Sequence, residues 1–264
     1  MIDRLLAIVG KELYEVRHSR LILTTMIVPT VIYVVLPTVL LRSGVLAGMG
    51  ALGAGELDTL QRSNPLLRGL SPTEALQVLI IDQVMVLYMQ APLFIPLTIA
   101  SYSIIGEKQV RTLEPLLATP IRTWELLVAK SVAAAMPGIL VSWVSYLAFV
   151  LVARLSVSAA VLSSLVGPTW LLAFLLVVPL FALLAVGTGV IASSRTNDPR
   201  AAQQLGAVVI LPIAAVLFAQ VFGFIRLDVG YVLVLAAVVG LVDVGLLWLA
   251  VRLFDRESIL TRWR

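Results

Sequence analysis

Cysteine is absent from the 264 residues, and histidine occurs once, at His18. Without cysteine there is no disulfide framework, no thiolate metal site and no thiol redox chemistry. One histidine cannot build a metal cluster, and near a membrane surface it reads as a solvated polar residue. Charge is scarce as well. Only 13% of residues are charged, where soluble domains carry about 25%. No Ser/His/Asp set, paired acids at glycosidase-like spacing or Asp-rich prenyl-phosphate motif is found. A phosphate-binding loop requires Gly-x-x-x-x-Gly-Lys-Ser/Thr, so that backbone N–H groups cradle the phosphates. The single Gly-Lys pair is Gly10-Lys11, with Leu5 at the first glycine position and Glu12 after it.

What fills the chain is apolar: 60% hydrophobic residues and a mean hydropathy of +1.04. Crossing about 30 Å of hydrocarbon takes roughly 20 apolar residues as a helix, and six segments are long enough: 21–41, 84–105, 132–153, 169–192, 205–225 and 230–251. Outer-membrane barrels alternate apolar and polar residues in segments of about ten, whereas these runs are continuous and longer. The expectation is an all-α integral membrane protein with six transmembrane helices. The first run outlasts the roughly 7–15 residues of a secretory h-region and ends in Leu-Leu-Arg-Ser-Gly, so it is read as a mature span.

Six spans place both termini on one side. Fourteen of the nineteen Lys and Arg residues then share that side: the N-terminus, the 106–131 connection, the turn with Arg195 and Arg200, and the tail 252–264. Arg42, Arg62, Arg68, Arg154 and Arg226 fall on the other. The positive-inside rule makes the richer side cytoplasmic, here expected of a prokaryotic plasma membrane. The sequence pI of about 9.7 is thus a topology signal and requires no nucleic acid.

Two polar elements stand out. Residues 1–20 place Ile2, Leu5, Leu6, Val9, Leu13 and Val16 within an arc of about 100° on a helix, with Arg4, Lys11, Glu15 and His18 opposite. Such a helix lies in the membrane interface or packs on the protein's own surface, and leads into the first span as an elbow. The second is Gly106–Lys130, reading GEKQVRTLEPLLATPIRTWELLVAK. Thr112 caps a short helix, with Glu114 and Pro115 in its first turn. Pro120 ends it, and Thr123 caps the next helix, which runs through Lys130 into the third span. The alternative is a solvated re-entry loop. The external segment 42–83 begins Gly-Ala-rich, and Ser71-Pro72-Thr73-Glu74 reads as a helix start.

The pattern GEKQVRTLEPLLATP followed by WELLVAK resembles the coupling-helix signature of type-2 permeases of ATP-binding cassette (ABC) exporters. SSRTNDPRAAQQLGAVVILP (193–212) and RLFDRESILTRW (252–263) are similar to further motifs of that family. The resemblance covers nearly the whole chain except the segment from Arg42 to about Gln83. It implies a permease that pairs with a second copy or paralogue and couples to a cytosolic ABC ATPase dimer. ATP and Mg²⁺ would sit on that partner, with no cofactor on this chain. The matching positions for ATPase coupling are Glu107, Arg111, Thr112, Leu113, Glu114, Leu117 and Pro120. Leu113 and Leu117 form an i,i+4 apolar pair able to fill a groove, and the charges can fix register. The elbow would add Lys11, Glu12 and Glu15.

Within the spans, Asp243 is a candidate pathway or cation site, or a buried acid bonded to a neighbouring helix. Gln90 and Gln220 are candidates for interhelical bonding or the pathway. Asp82 and Arg154 read as surface charges. Prolines 29, 37, 92, 96, 137, 179 and 212 can kink their helices, and Gly187 and Gly189 permit close approach. The expected substrate is a hydrophobic or amphipathic compound, a lipid or drug-like molecule. Alternatives are efflux of sodium or another cation by the same kind of permease, and a stand-alone secondary transporter using Asp243. The latter predicts inverted repeats, which the sequence lacks.

Overall fold

The structure, a computed structural model, describes residues 2–42, 59, 61, 67–109, 123–221, 224–225 and 227–253. Apart from turns and short connections these are helical, with no strand among the described residues. Helix α1 (Ile2–His18) leads into α2 (Arg20–Arg42). Then come α3 (Pro72–Tyr88), α4 (Ala91–Gln109), α5 (Thr123–Ala153), α6 (Ala159–Leu165) and α7 (Pro168–Leu172). A π-helical turn, Ala173–Val177, joins α7 to α8 (Val178–Arg195), and α9 (Pro199–Val221) and α10 (Val229–Leu253) follow. The protein is an all-α integral membrane protein. Among the described residues, five helical stretches are long and apolar enough to cross a bilayer: 22–41, 72–109, 124–153, 159–195 and 229–252.

A sixth span is present only if the two halves of α9, bent by 53° between Val208 and Ile210, count as one. Pro212 accounts for the bend, since it has no N–H to give the Val208 carbonyl. Three spans outrun the apolar windows that the sequence predicts, because polar residues extend the helices. Ser71 and Glu74 form a capping box: the Ser71 N–H donates to Glu74 Oε2 at 2.9 Å, and the Glu74 N–H to Ser71 Oγ at 3.4 Å. The second span therefore starts at Pro72 instead of residue 84, and the expected external segment ends in helix. Ser158 Oγ donates to Glu74 Oε1 at 2.6 Å, tying the start of α6 to the start of α3. The third span begins at Thr123, as its capping threonine suggests, and runs without interruption to Ala153.

The core lies among α4, α5 and α8. In the apolar 18-residue stretch of the 72–109 span 65% of residues are buried, against 11% in those of 22–41 and 229–252, so α2 and α10 are peripheral. Small residues bring the inner helices together. A Cβ at Gly138 would lie 2.6 Å from the Pro96 ring, and one at Gly189 would lie 3.1 Å from Ala100 Cβ. Gly187 faces Leu246 of α10, and Gly206 faces Leu97.

Three prolines shape this core through the carbonyls they release. Pro37 cannot donate to Tyr33 O, and the Tyr88 hydroxyl does so at 2.6 Å. Pro92 leaves Tyr88 O free, and Ser142 Oγ donates to it at 3.2 Å. In the π turn the Val178 N–H bonds Ala173 O. The next N–H in that pattern would come from Pro179, so Phe174 O is open and receives Trp143 Nε1 at 2.9 Å.

Candidate functional site

The amphipathic face of α1 packs along α5, with Val16 in the core. The described part of this face lies against the protein's own helices. Beside it, Glu12 is buried, and so are Glu107 near the end of α4 and Lys130 in the second turn of α5. Lys130 Nζ lies 2.6 Å from Glu12 Oε1 and 2.9 Å from Glu107 Oε1. Ser103 Oγ donates to Glu12 Oε2 at 2.8 Å and accepts from Lys130 Nζ at 3.1 Å. Lys11 closes the cluster from outside, 3.2 Å from Glu107 Oε1 and 3.3 Å from Glu15 Oε1. Partial burial pushes the Lys11 ammonium down, but the charge and hydrogen bond of Glu107, with Glu15 and Glu12, outweigh it and hold the pKa above the usual lysine value. Desolvating three charges is tolerable because each has a close opposite charge. The arrangement fixes α1 against the two helices that enter and leave the 106–131 connection.

Next to it, Lys108 donates to the carbonyls of Ser193, Ser194 and Thr196, a cationic cap on the C-terminal end of α8. Gln109 Nε2 reaches Asn197 O at 3.4 Å. Asp198 then begins α9, accepting the Arg200 N–H at 3.1 Å. The root of the connection thus contacts both the elbow and the turn carrying the 193–212 motif.

Of the predicted coupling positions, Glu107 is therefore buried within the fold and Glu12 with it, while Lys11 and Glu15 stay half exposed. Arg111, Thr112, Leu113, Glu114, Leu117 and Pro120 lie outside the described residues, as does the tail from 254. Asp243 lines a groove between α5, α8 and α10. Gln90 and Gln220 do not line it; Gln90 Nε2 and Gln220 Oε1 are buried with no hydrogen-bond partner among the described residues. Asp82, expected as a plain surface charge, accepts from Trp170 Nε1 at 3.3 Å. His18 caps its own helix through Tyr14 O at 2.9 Å, as befits an exposed polar residue.

Sequence reasoning missed Lys130 and Ser103 as members of the site. Lys130 sits within LLVAKSVAAA, and a lysine in such a run needs a buried acid. Glu12 falls about 20° outside the apolar arc of the elbow at 100° per residue, a position that signals a partner inside the fold.

The described residues form a bundle of apolar helices with a charged, cross-braced pole. The chain matches the ABC-2 type transporter family over residues 4–222 and belongs to it. It is a transmembrane permease of an ABC transporter, a multi-pass transport component that is not itself catalytic, and the family associates with an ATP-binding subunit. No curated protein matches the chain.

Proposed function

We propose that this chain is the membrane-spanning subunit of an ATP-driven exporter in a prokaryotic plasma membrane, with both termini cytoplasmic. Two copies, or this chain and a paralogue, form the pathway, and separate cytosolic ATPase subunits hold ATP and Mg²⁺. The substrate is a hydrophobic or amphipathic compound. The observation that carries this reading is the Glu12–Lys130–Glu107 cluster, which joins the elbow to both helices flanking the 106–131 connection. A displacement of that connection by a partner would reach α5, continuous from Thr123 to Ala153, and the elbow together. Leu113 and Leu117 fill the ATPase groove, and Arg111 and Glu114 pair at its rim. Thr112 and Pro120 bound the short helix. Lys11 and Glu15 remain available for surface contact, whereas Glu12 and Glu107 act from within by holding the root of the segment.

The test is a mild-detergent pull-down of the wild-type chain and a Leu113→Asp, Leu117→Asp double variant. A stoichiometric ATPase should accompany the wild type and be lost from the variant, which stays folded and membrane-inserted. Intact wild type recovered without any ATPase overturns the reading.

A further inference from the structure

The groove between α5, α8 and α10 has a volume of about 360 Å³, within the roughly 300–1,000 Å³ of small-molecule pockets. Its walls are Val128 and Ser131 of α5, Leu183 and Gly187 of α8, and Asp243 and Leu247 of α10, among other apolar residues. It is open to the side: Val132, Leu183, Val244 and Leu247 on its lining are exposed on the outer surface of the bundle. Asp243 and Ser131 are the polar side chains on the lining. Both carboxylate oxygens of Asp243 are buried and have no hydrogen-bond partner among the described residues. An acid at membrane depth is costly and calls for a partner.

Among the described residues the groove offers no such partner, because no Lys, Arg or His of theirs lines it. Lys130, next to Ser131 in sequence, turns the other way toward Glu12 and Glu107. Arg252, at the end of α10, stacks 3.7 Å over the Trp248 ring. A small metal ion or sodium would want several oxygen ligands, and this lining gives one carboxylate and one hydroxyl amid hydrocarbon. A body that is mostly apolar with a single positive charge matches the apolar wall and the unpaired acid buried just beneath it. Asp243 lies about 14 Å along α10 from Arg252, at 1.5 Å per residue, and the lining reaches Leu127, one turn before Lys130. The groove therefore reaches toward the end of the bundle where the elbow and the ion cluster sit, on another face of α5.

We propose that this groove binds a lipophilic organic cation, with Asp243 as its counter-charge and the walls of α5, α8 and α10 taking the apolar body. That the bound cation is the exported cargo rests on the permease reading; that it binds does not.

The experiment is equilibrium binding of tetraphenylphosphonium, and of the equally shaped anion tetraphenylborate, to the full chain in phosphatidylcholine nanodiscs. For Asp243→Asn, cation affinity should fall about tenfold or more, the scale of losing a charge contact in a desolvated site. Asp243→Glu, which keeps the charge, should retain the binding, and tetraphenylborate should not distinguish wild type from Asp243→Asn. Equal cation affinity in wild type and Asp243→Asn overturns the proposal. So does a change in the number of copies per particle on Asp243→Asn, which makes the acid a contact to a second chain. A chain that binds the cation through Asp243 yet recruits no ATPase keeps the site and loses the export role, so the two failures read differently.

Discussion

Lys130 has more at stake than any other side chain at the coupling pole, because it neutralises two buried carboxylates at once. Removing one partner of a buried pair leaves the other charge desolvated and uncompensated, a loss of about 3–5 kcal/mol. Lys130→Met should therefore lower the thermal unfolding transition in detergent sharply. Adding Glu12→Gln and Glu107→Gln to Lys130→Met removes the stranded charges and should recover most of that loss. A Lys130→Met protein that melts with the wild type would show that water or lipid headgroups already satisfy the acids. Lys11 lies on the same carboxylate, but its side chain is 52% exposed, and exposed pairs are worth about 0–1 kcal/mol. Lys11→Met should therefore be mild in the same measurement, which separates the buried contact from the surface one.

At the scale of elements, the helices communicate through their prolines. Each of Pro37, Pro92 and Pro179 releases a carbonyl that a side chain from a neighbouring helix then takes. A kink thus becomes a specific interhelical bond where hydrophobic contact alone selects no register. The Tyr88 hydroxyl is the clearest case, since its bond to Tyr33 O depends on Pro37 having no N–H. Tyr88→Phe keeps the ring contacts with Tyr33, Phe149 and Phe174 and strands the carbonyl, costing about 1–3 kcal/mol. In a Pro37→Ala background the helix supplies its own donor, and the same Tyr88→Phe change should cost markedly less. The double-mutant cycle, read by unfolding in detergent, isolates the coupling. Identical costs in the two backgrounds would mean the hydroxyl serves some other purpose. These bonds were not legible in the sequence. The prolines are plain to see, but which hydroxyl or indole meets each carbonyl depends on helix rotation, which periodicity cannot fix in helices apolar on nearly every side. Capping, by contrast, is local, so Ser71-x-x-Glu74 and the Thr123 start could be read directly.

Across the whole molecule the helix ends sort into two poles. At one, Lys130 meets Glu12 from 118 residues away, and Lys108 holds the α8 terminus. At the other, Ser158 holds Glu74 across 84 residues. The spans and this alternation were legible because hydropathy is a local quantity. The pairing of Lys130 with Glu12 was not, because only the packing of α1 on α5 brings them together. The first pole includes the N-terminus, the start of the 106–131 connection and the α8–α9 turn, all on the side where fourteen of nineteen cations fall. Cytoplasmic loops are the ones enriched in Lys and Arg, so that pole should face the cytoplasm. The absence of native cysteine makes the check direct, since an introduced thiol is the only one that can react. Asn197 and Ser163 are both exposed, one at each pole. In intact spheroplasts, a membrane-impermeant maleimide should label Ser163→Cys and spare Asn197→Cys until the membrane is permeabilised. The opposite pattern would invert the protein and place the coupling segment where no cytosolic ATPase could reach it. Labelling of both before permeabilisation would mean that the 159–195 segment between them does not cross the membrane.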